Sequence, residues 1–186
     1  MRNATAADFI EAIMSPRDWC IVQKQYRPDE TLKYETLFTL ANGFMGTRGA
    51  YEETVPQSYP ATYFAGVFDR AMTFNEELAN APNWLGLEVR VNGERMSPET
   101  GKLLSCTRWL DMRNGLLLRR TRWRDGAGRI TRLETLRLVH LRDKQRALIQ
   151  GVVVPENHDA QIELSAAVDA ATANTTLSPL VQVRHL

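Results

Sequence analysis

Between Leu87 and Asn92 apolar and polar residues alternate strictly, with Leu87, Val89 and Val91 set against Glu88, Arg90 and Asn92. A period of two is that of a strand with one face buried. Asn92-Gly93 follows at once, and both residue types tolerate positive φ, so the pair predicts a two-residue hairpin turn. The same grammar continues downstream. Residues 103–110 read as a strand, turned by Arg113-Asn114-Gly115 into a strand over 116–124. Asp125-Gly126-Ala127-Gly128 turns the chain again, and residues 129–141 run back. Residues 147–154 are apolar on both faces, which predicts a central strand covered on both sides. Ile162, Leu164, Ala166 and Val168 then alternate with more polar neighbours, and a last strand is expected from about Leu180. Upstream, residues 19–26 are rich in aromatic and branched side chains and read as a strand. A short helix is expected over 5–14, capped by Thr5, with Phe9, Ile10, Ile13 and Met14 at helical spacing and Pro16 beyond its end. Strands this evenly spaced, with almost no helical period, predict an all-β sandwich or barrel.

Composition narrows the class. The 186 residues are 44% hydrophobic and 24% charged, with 23 basic and 22 acidic side chains. These are the proportions of an ordinary globular domain, not of a disordered tail, a fibre or a coiled coil. A chain of this length buries about 70% of its unfolded surface, so it needs no staple. Cys20 and Cys106 make no disulfide framework and read as reduced thiols, which points to a cytoplasmic setting. No apolar run approaches a membrane span, and the N-terminus is a poor signal peptide. The near-neutral total hides a polarity: residues 108–146 hold 12 basic and 4 acidic groups, while both flanks are net acidic. Trp109 and Trp123 lie among those arginines, a combination that binds single-stranded nucleic acid in other settings. Here Arg120, Arg122 and Arg124 share one strand face while Arg119 takes the other, which argues against a dedicated electrostatic stripe. An interface or a solvated face is the plainer expectation, with the acidic flanks available to neutralise the block in the folded chain or across an interface.

Several motifs could carry chemistry. Gly43, Gly46 and Gly49 recur at every third position around Arg48. An anion cradle of backbone N–H groups is one reading; a tight connection where backbones approach closely is the plainer one. The GK[ST] ending of a phosphate loop is absent. Acidic pairs occur at Glu52-Glu53 and Glu76-Glu77. Adjacent acids do not meet across a sugar bond by themselves, and in loops they are usually solvated. His140, His158 and His185 show no metal-ligand spacing, and no GxSxG motif is present. Trp84, beside asparagines at a strand start, is either a core residue or a stacking platform for a sugar ring.

Taken together, the motifs resemble the N-terminal domain of glycoside hydrolase family 65, the maltose, trehalose and kojibiose phosphorylases and related hydrolases. The resemblance rests on residues 33–38 (KYETLF) leading into Asn42-Gly43-Phe44-Met45-Gly46-Thr47-Arg48-Gly49, then Glu52-Glu53, residues 63–69, 77–84 and 110–117. Residues 165–174 are similar to a further family segment, with Ala170 where glycine is expected. The resemblance implies a galactose-mutarotase-like super-sandwich, followed in the family by a helical linker and an (α/α)6 barrel that holds the general acid and the phosphate site. It implies a short helix or arm over 1–16 and the sandwich over 17–186, incomplete at its C-terminal side, where a strand-like pattern is still running at residues 181–186. No catalytic, cofactor or metal residue is then expected in this chain; inorganic phosphate would be a co-substrate of the parent if that is a phosphorylase. The expected partners are the chain's own catalytic domain, a second copy in a homodimer, and a disaccharide through the parent enzyme, with no nucleic acid and no membrane. Asn42, Gly43, Gly46, Arg48, Gly49 and Trp84 become candidates for facing the barrel or lying near the sugar. In the complete protein Arg48→Ala is expected to lower stability, or alter the apparent Michaelis constant, more than Arg119→Ala does, and open sheet edges are expected to favour self-association. The alternative is a free-standing carbohydrate-binding or scaffold sandwich, with Trp84 and Trp109 as its stacking residues.

Overall fold

The computed structural model describes residues 9–70 and 76–174. Its elements, in order, are α1 (Phe9–Ile13), β1 (Cys20–Gln23), α2 (Thr31–Leu37), β2 (Leu40–Ala41), β3 (Met45–Thr47), β4 (Thr62–Phe64), β5 (Phe68–Arg70), β6 (Glu76–Leu78), β7 (Asn83–Val91), β8 (Glu94–Met96), β9 (Lys102–Asp111), β10 (Leu116–Arg124), β11 (Ile130–Val139), β12 (Ala147–Pro155) and β13 (Ile162–Asp169). The main sheet runs β1-β9-β10-β11-β12, antiparallel throughout. A second sheet, β13-β7-β8, lies over it. Val89, Val91 and Met96 of the second pack on Trp123 and Leu133 of the first, with Val153 at the margin. The architecture is an all-β sandwich.

Sequence signals explain the hairpins directly. Asn92 and Gly93 both have positive φ, 51° and 81°, and turn β7 into β8. Asp125 Oδ1 accepts the N–H groups of Ala127 and Arg129, which fixes the turn into β11. The two faces of the main sheet bury different things. On one face Leu118 and Leu136 receive Ile10 of α1. On the other, Leu110, Leu117 and Val139 receive Phe38, Leu40 and Met45 from the α2–β3 unit, which caps one end of the sandwich.

Three expectations change. The helix near the N-terminus spans Phe9–Ile13; Thr5 lies outside the described residues, as does the strand expected from Leu180. The helix α2 has no clear sequence signal, because it is two turns long and its tertiary seat, not its own periodicity, holds it. Strand β12 is an edge of the main sheet among the described residues, half exposed, where a covered central strand was expected. Its apolar inner face looks across a groove of about 720 Å3 toward β7 and β13.

Candidate functional site

Strand register builds a polar row across the inner face of the main sheet. Gln23 stands beside Arg108, Arg108 beside Arg119, Arg119 beside Thr135, and Thr135 beside Gly151. Arg137 sits one row away, beside Leu117. All three arginines are at most 2% exposed. Guanidiniums in such an interior are tolerable only if each finds acceptors. The chain supplies them by laying residues 49–53 across the row. Arg108 Nη1 donates to the Gly49 carbonyl at 2.6 Å and Nε to Gln23 Oε1 at 2.7 Å. Its guanidinium lies 4.0 Å from the Tyr51 ring centre and 4.9 Å from that of Phe38, a cation–π contact on each side. Arg137 Nη2 donates to the Ala50 carbonyl at 2.7 Å and to Glu52 Oε1 at 2.6 Å. Arg119 meets Glu53 Oε1 at 2.5 Å and Glu52 Oε2 at 3.2 Å.

The Glu52-Glu53 pair is therefore buried and ion-paired rather than solvated, contrary to what a loop position suggested. Glu52 and Glu53 lie at a bend, and both carboxylates reach Arg119, whose fork spans them. Burial alone would raise the Glu52 carboxyl; Arg119 and Arg137 outweigh it and hold it at about 2, against 4.5 for an ordinary glutamate. A depressed folded-state value stabilises the fold fully above the unfolded value and is lost as pH falls through the folded one. The window is thus pH 4.5 down to about 2, and the stake is on the order of 3 kcal/mol. Glu52→Gln is expected to flatten the fall in stability across this window. Urea midpoints measured at about pH 6 and about pH 3 check it, and an unchanged fall in the variant contradicts it.

The glycine-rich segment is a close-packed connection. Asn42 is its clamp: Oδ1 accepts the N–H groups of Phe44 and Met45, while Nδ2 donates to the carbonyls of His140 and Lys144 at 2.9 and 3.0 Å. Gly43 turns at φ +83°, Gly46 lies within β3, and Gly49 presses on Phe38. The Gly49 N–H is committed to the Glu35 carbonyl. Arg48 spends its donors on the carbonyls of Tyr59 and Leu32 and on Thr36 Oγ1, and lies 3.5 Å from the buried Glu35 carboxylate. Arg48, Asn42 and the Gly49 N–H are thus occupied within the domain, which favours the reading as a tight connection.

Trp84 stands apart from that segment. It is the second residue of β7 and lines the groove beneath β13, and its Nε1 is buried without an acceptor among the described residues. Trp109 is half-buried and packs against the Leu118, Leu136 and Ile10 cluster. Two other quoted motif pieces do meet: Asn174 Oδ1 accepts the Asn80 N–H, and its Nδ2 donates to the Leu78 carbonyl. On the outer sheet face Arg120 and Arg132 converge on Glu134, and Arg122 pairs with Glu156 at 2.6 Å. Much of the basic block is thus paired with carboxylates of the same domain. Among the described residues no group of His, Cys, Asp and Glu gathers to hold a metal, and no helix is long and apolar enough to cross a membrane.

The glycosyl hydrolase family 65 N-terminal domain matches residues 21–186. The chain belongs to that family. Kojibiose phosphorylase of Caldanaerobacter subterraneus subsp. tengcongensis is 34% identical over 177 residues, which is 95% of this chain and 23% of that protein. The α,α-trehalose phosphorylase of Thermoanaerobacter brockii is 29% identical over 89% of this chain and 23% of its own length. A solved structure, a candidate kojibiose phosphorylase from human microbiome, has a TM-score of 0.70 over 81% of this chain and 21% of that one; at 23% identity the likeness concerns the fold. The chain spans under a quarter of the length of these family 65 relatives.

Proposed function

We propose that this chain is a non-catalytic family 65 sandwich that supports the catalytic part of an enzyme acting on an α-glucosyl disaccharide of the kojibiose, trehalose or maltose type. Inorganic phosphate is the co-substrate if that enzyme is a phosphorylase. The observation that carries the non-catalytic role is the fate of the buried carboxylates near the glycine-rich segment. Glu35, Glu52 and Glu53 are all committed to arginines or backbone donors of the same domain. A general acid must instead be free to reach a substrate oxygen. Packing of the Asn42–Gly49 segment supports a rigid end of the sandwich, suited to seating a neighbouring domain. Residence in the cytoplasm belongs to the same reading, since Cys20 and Cys106 are unpaired.

The carbohydrate-binding alternative draws little support, because the groove at Trp84 is lined by aliphatic side chains and glycines with no polar side chain for sugar hydroxyls. Incubating the chain with kojibiose, trehalose or maltose and phosphate should release no glucose phosphate, and titration with each sugar should show no saturation. Phosphorolysis by the chain would sink the non-catalytic role. Saturable binding abolished by Trp84→Ala would establish the alternative.

A further inference from the structure

The loop over residues 140–146, between β11 and β12, is closed by an imidazole. His140 N–H donates to the Arg146 carbonyl and Arg146 N–H to that of Asp143, both at 2.9 Å. The third bond is of another kind: the Asp143 N–H donates to His140 Nδ1 at 2.7 Å. The closed loop offers the His140 and Lys144 carbonyls to Asn42 Nδ2. Asn42 Oδ1 in turn holds the N–H groups of Phe44 and Met45. One side-chain amide therefore couples the loop to the glycine-rich turn.

A backbone N–H can only donate, so Nδ1 keeps its lone pair while the loop is closed. Imidazolium carries N–H groups at both ring nitrogens and offers no acceptor. His140 is exposed, so a proton reaches the ring without prior opening. The charges around it act in the same direction. On its own loop Arg142, Lys144 and Arg146 stand against one acid, Asp143, which pairs with Arg146 at 3.3 Å. A further cation there is unfavourable. The β2–β3 turn packed on the loop, residues 40–46, brings no charged residue, and the Lys144 ammonium stands over its Gly43. The β9–β10 turn, beside β11 in the sheet order, carries Arg113 and Asp111. The Asp111 carboxylate is taken by the N–H groups of Ser15, Arg113 and Asn114. Strand β12 begins with the uncharged Ala147 and Leu148.

We propose that His140 is an acid-sensitive latch on the glycine-rich turn: protonation of its ring opens the 140–146 loop and releases Asn42. Closure is supported while the ring is neutral and weakens as pH falls through the range in which imidazoles titrate, about pH 6–7. His158 provides the contrast. Its Nδ1 faces Asn157 Oδ1 at 3.3 Å, a contact that imidazolium keeps by donating to the amide oxygen. The latch itself does not depend on this end of the sandwich seating a neighbouring domain; on that reading, acid loosens the seat.

Amide hydrogen exchange of the chain at about pH 7.5 and about pH 5.5, corrected for the intrinsic pH dependence of exchange, tests this. Protection at Asp143, Phe44 and Met45 should fall about fivefold or more in acid, the weight of one hydrogen bond. Gly128, whose N–H is bonded to the Asp125 carbonyl in another turn, should not change. His140→Asn offers an oxygen in place of Nδ1 and does not titrate, so protection should persist at both pH values. His140→Ala should lack it at both, and circular dichroism should show each variant folded. Protection at Asp143 that is unchanged or higher in acid overturns the proposal, the latter because imidazolium would then be tightening the loop through the Asp143 carboxylate. An acid response that survives in His140→Asn, or full protection in His140→Ala, overturns it too. So does acid loss at Asp143 with Phe44 and Met45 unaffected, since Asn42 would then not be released.

Discussion

Arg119→Ala is expected to cost about 3–5 kcal/mol and to leave the domain unfolded in mild urea. The reason lies in what the substitution abandons. Arg119 is 2% exposed and joins Glu52 and Glu53, which are 6% and 4% exposed. Glu52 retains Arg137 and Thr135, but Glu53 loses the ion pair that balances its charge. Removing one partner of a buried pair costs far more than the pair's net worth, because the other charge stays desolvated. Arg48→Ala should cost less, roughly 1–2 kcal/mol. Its side chain is 20% exposed, and Glu35 keeps Ser58 and the Tyr59 N–H when Arg48 is gone. For the stability of this chain Arg119 therefore ranks above Arg48, whereas the motif put Arg48 first in the complete protein. Urea unfolding followed by circular dichroism compares the two variants directly, and equal midpoints would contradict the assignment.

Gly49→Ala is the second large effect. A Cβ at this position would lie 2.4 Å from the Phe38 Cβ and 2.8 Å from the Phe38 carbonyl oxygen. Neither can yield without moving backbone, since Phe38 is fully buried. Displacing Gly49 also strains its N–H bond to Glu35 and its carbonyl bond from Arg108. Overpacking plus these bonds amounts to about 3 kcal/mol or more, a fall of roughly 6–12 °C in Tm for a chain of this size. Gly46→Ala is the internal control: its Cβ would meet only the Ala41 Cβ, at 3.9 Å, an ordinary contact. It should shift Tm little. Equal shifts at both glycines would mean that the motif's spacing, not the contact at Gly49, sets the sensitivity.

The hairpin meander was legible because it is local. Alternation and turn residues placed β7, β9, β10, β11 and β13 within a few residues, and Asn92-Gly93 adopts the positive φ its chemistry allows. The short strands β2 to β6 were not legible, since two or three residues carry no period. The buried charge row was partly legible. Arg108 shares strand parity with Cys106 and Leu110, and Arg119 with Leu117, Thr121 and Trp123, so each sits on an apolar face. An arginine on such a face announces a buried partner, but which acid answers it depends on where residues 49–53 cross the sheet. That crossing is tertiary, and no periodicity encodes it. For β12 the pattern read correctly as a strand but not as a central one: its edge position among the described residues depends on which strands lie beside it, and that is not encoded in its own pattern.

The central claim is that the acidic pair beside the glycine-rich segment is structural, locked to the sheet through Arg119. A double-mutant cycle between Arg119→Met and Glu53→Gln, measured by equilibrium urea unfolding, tests it most directly. The account predicts a coupling of about 2 kcal/mol or more, with the double variant clearly more stable than the sum of the single losses implies. Additive losses within about 0.5 kcal/mol would show that the two side chains do not depend on each other. In that case Glu53 would be a carboxylate held in the domain for some other purpose.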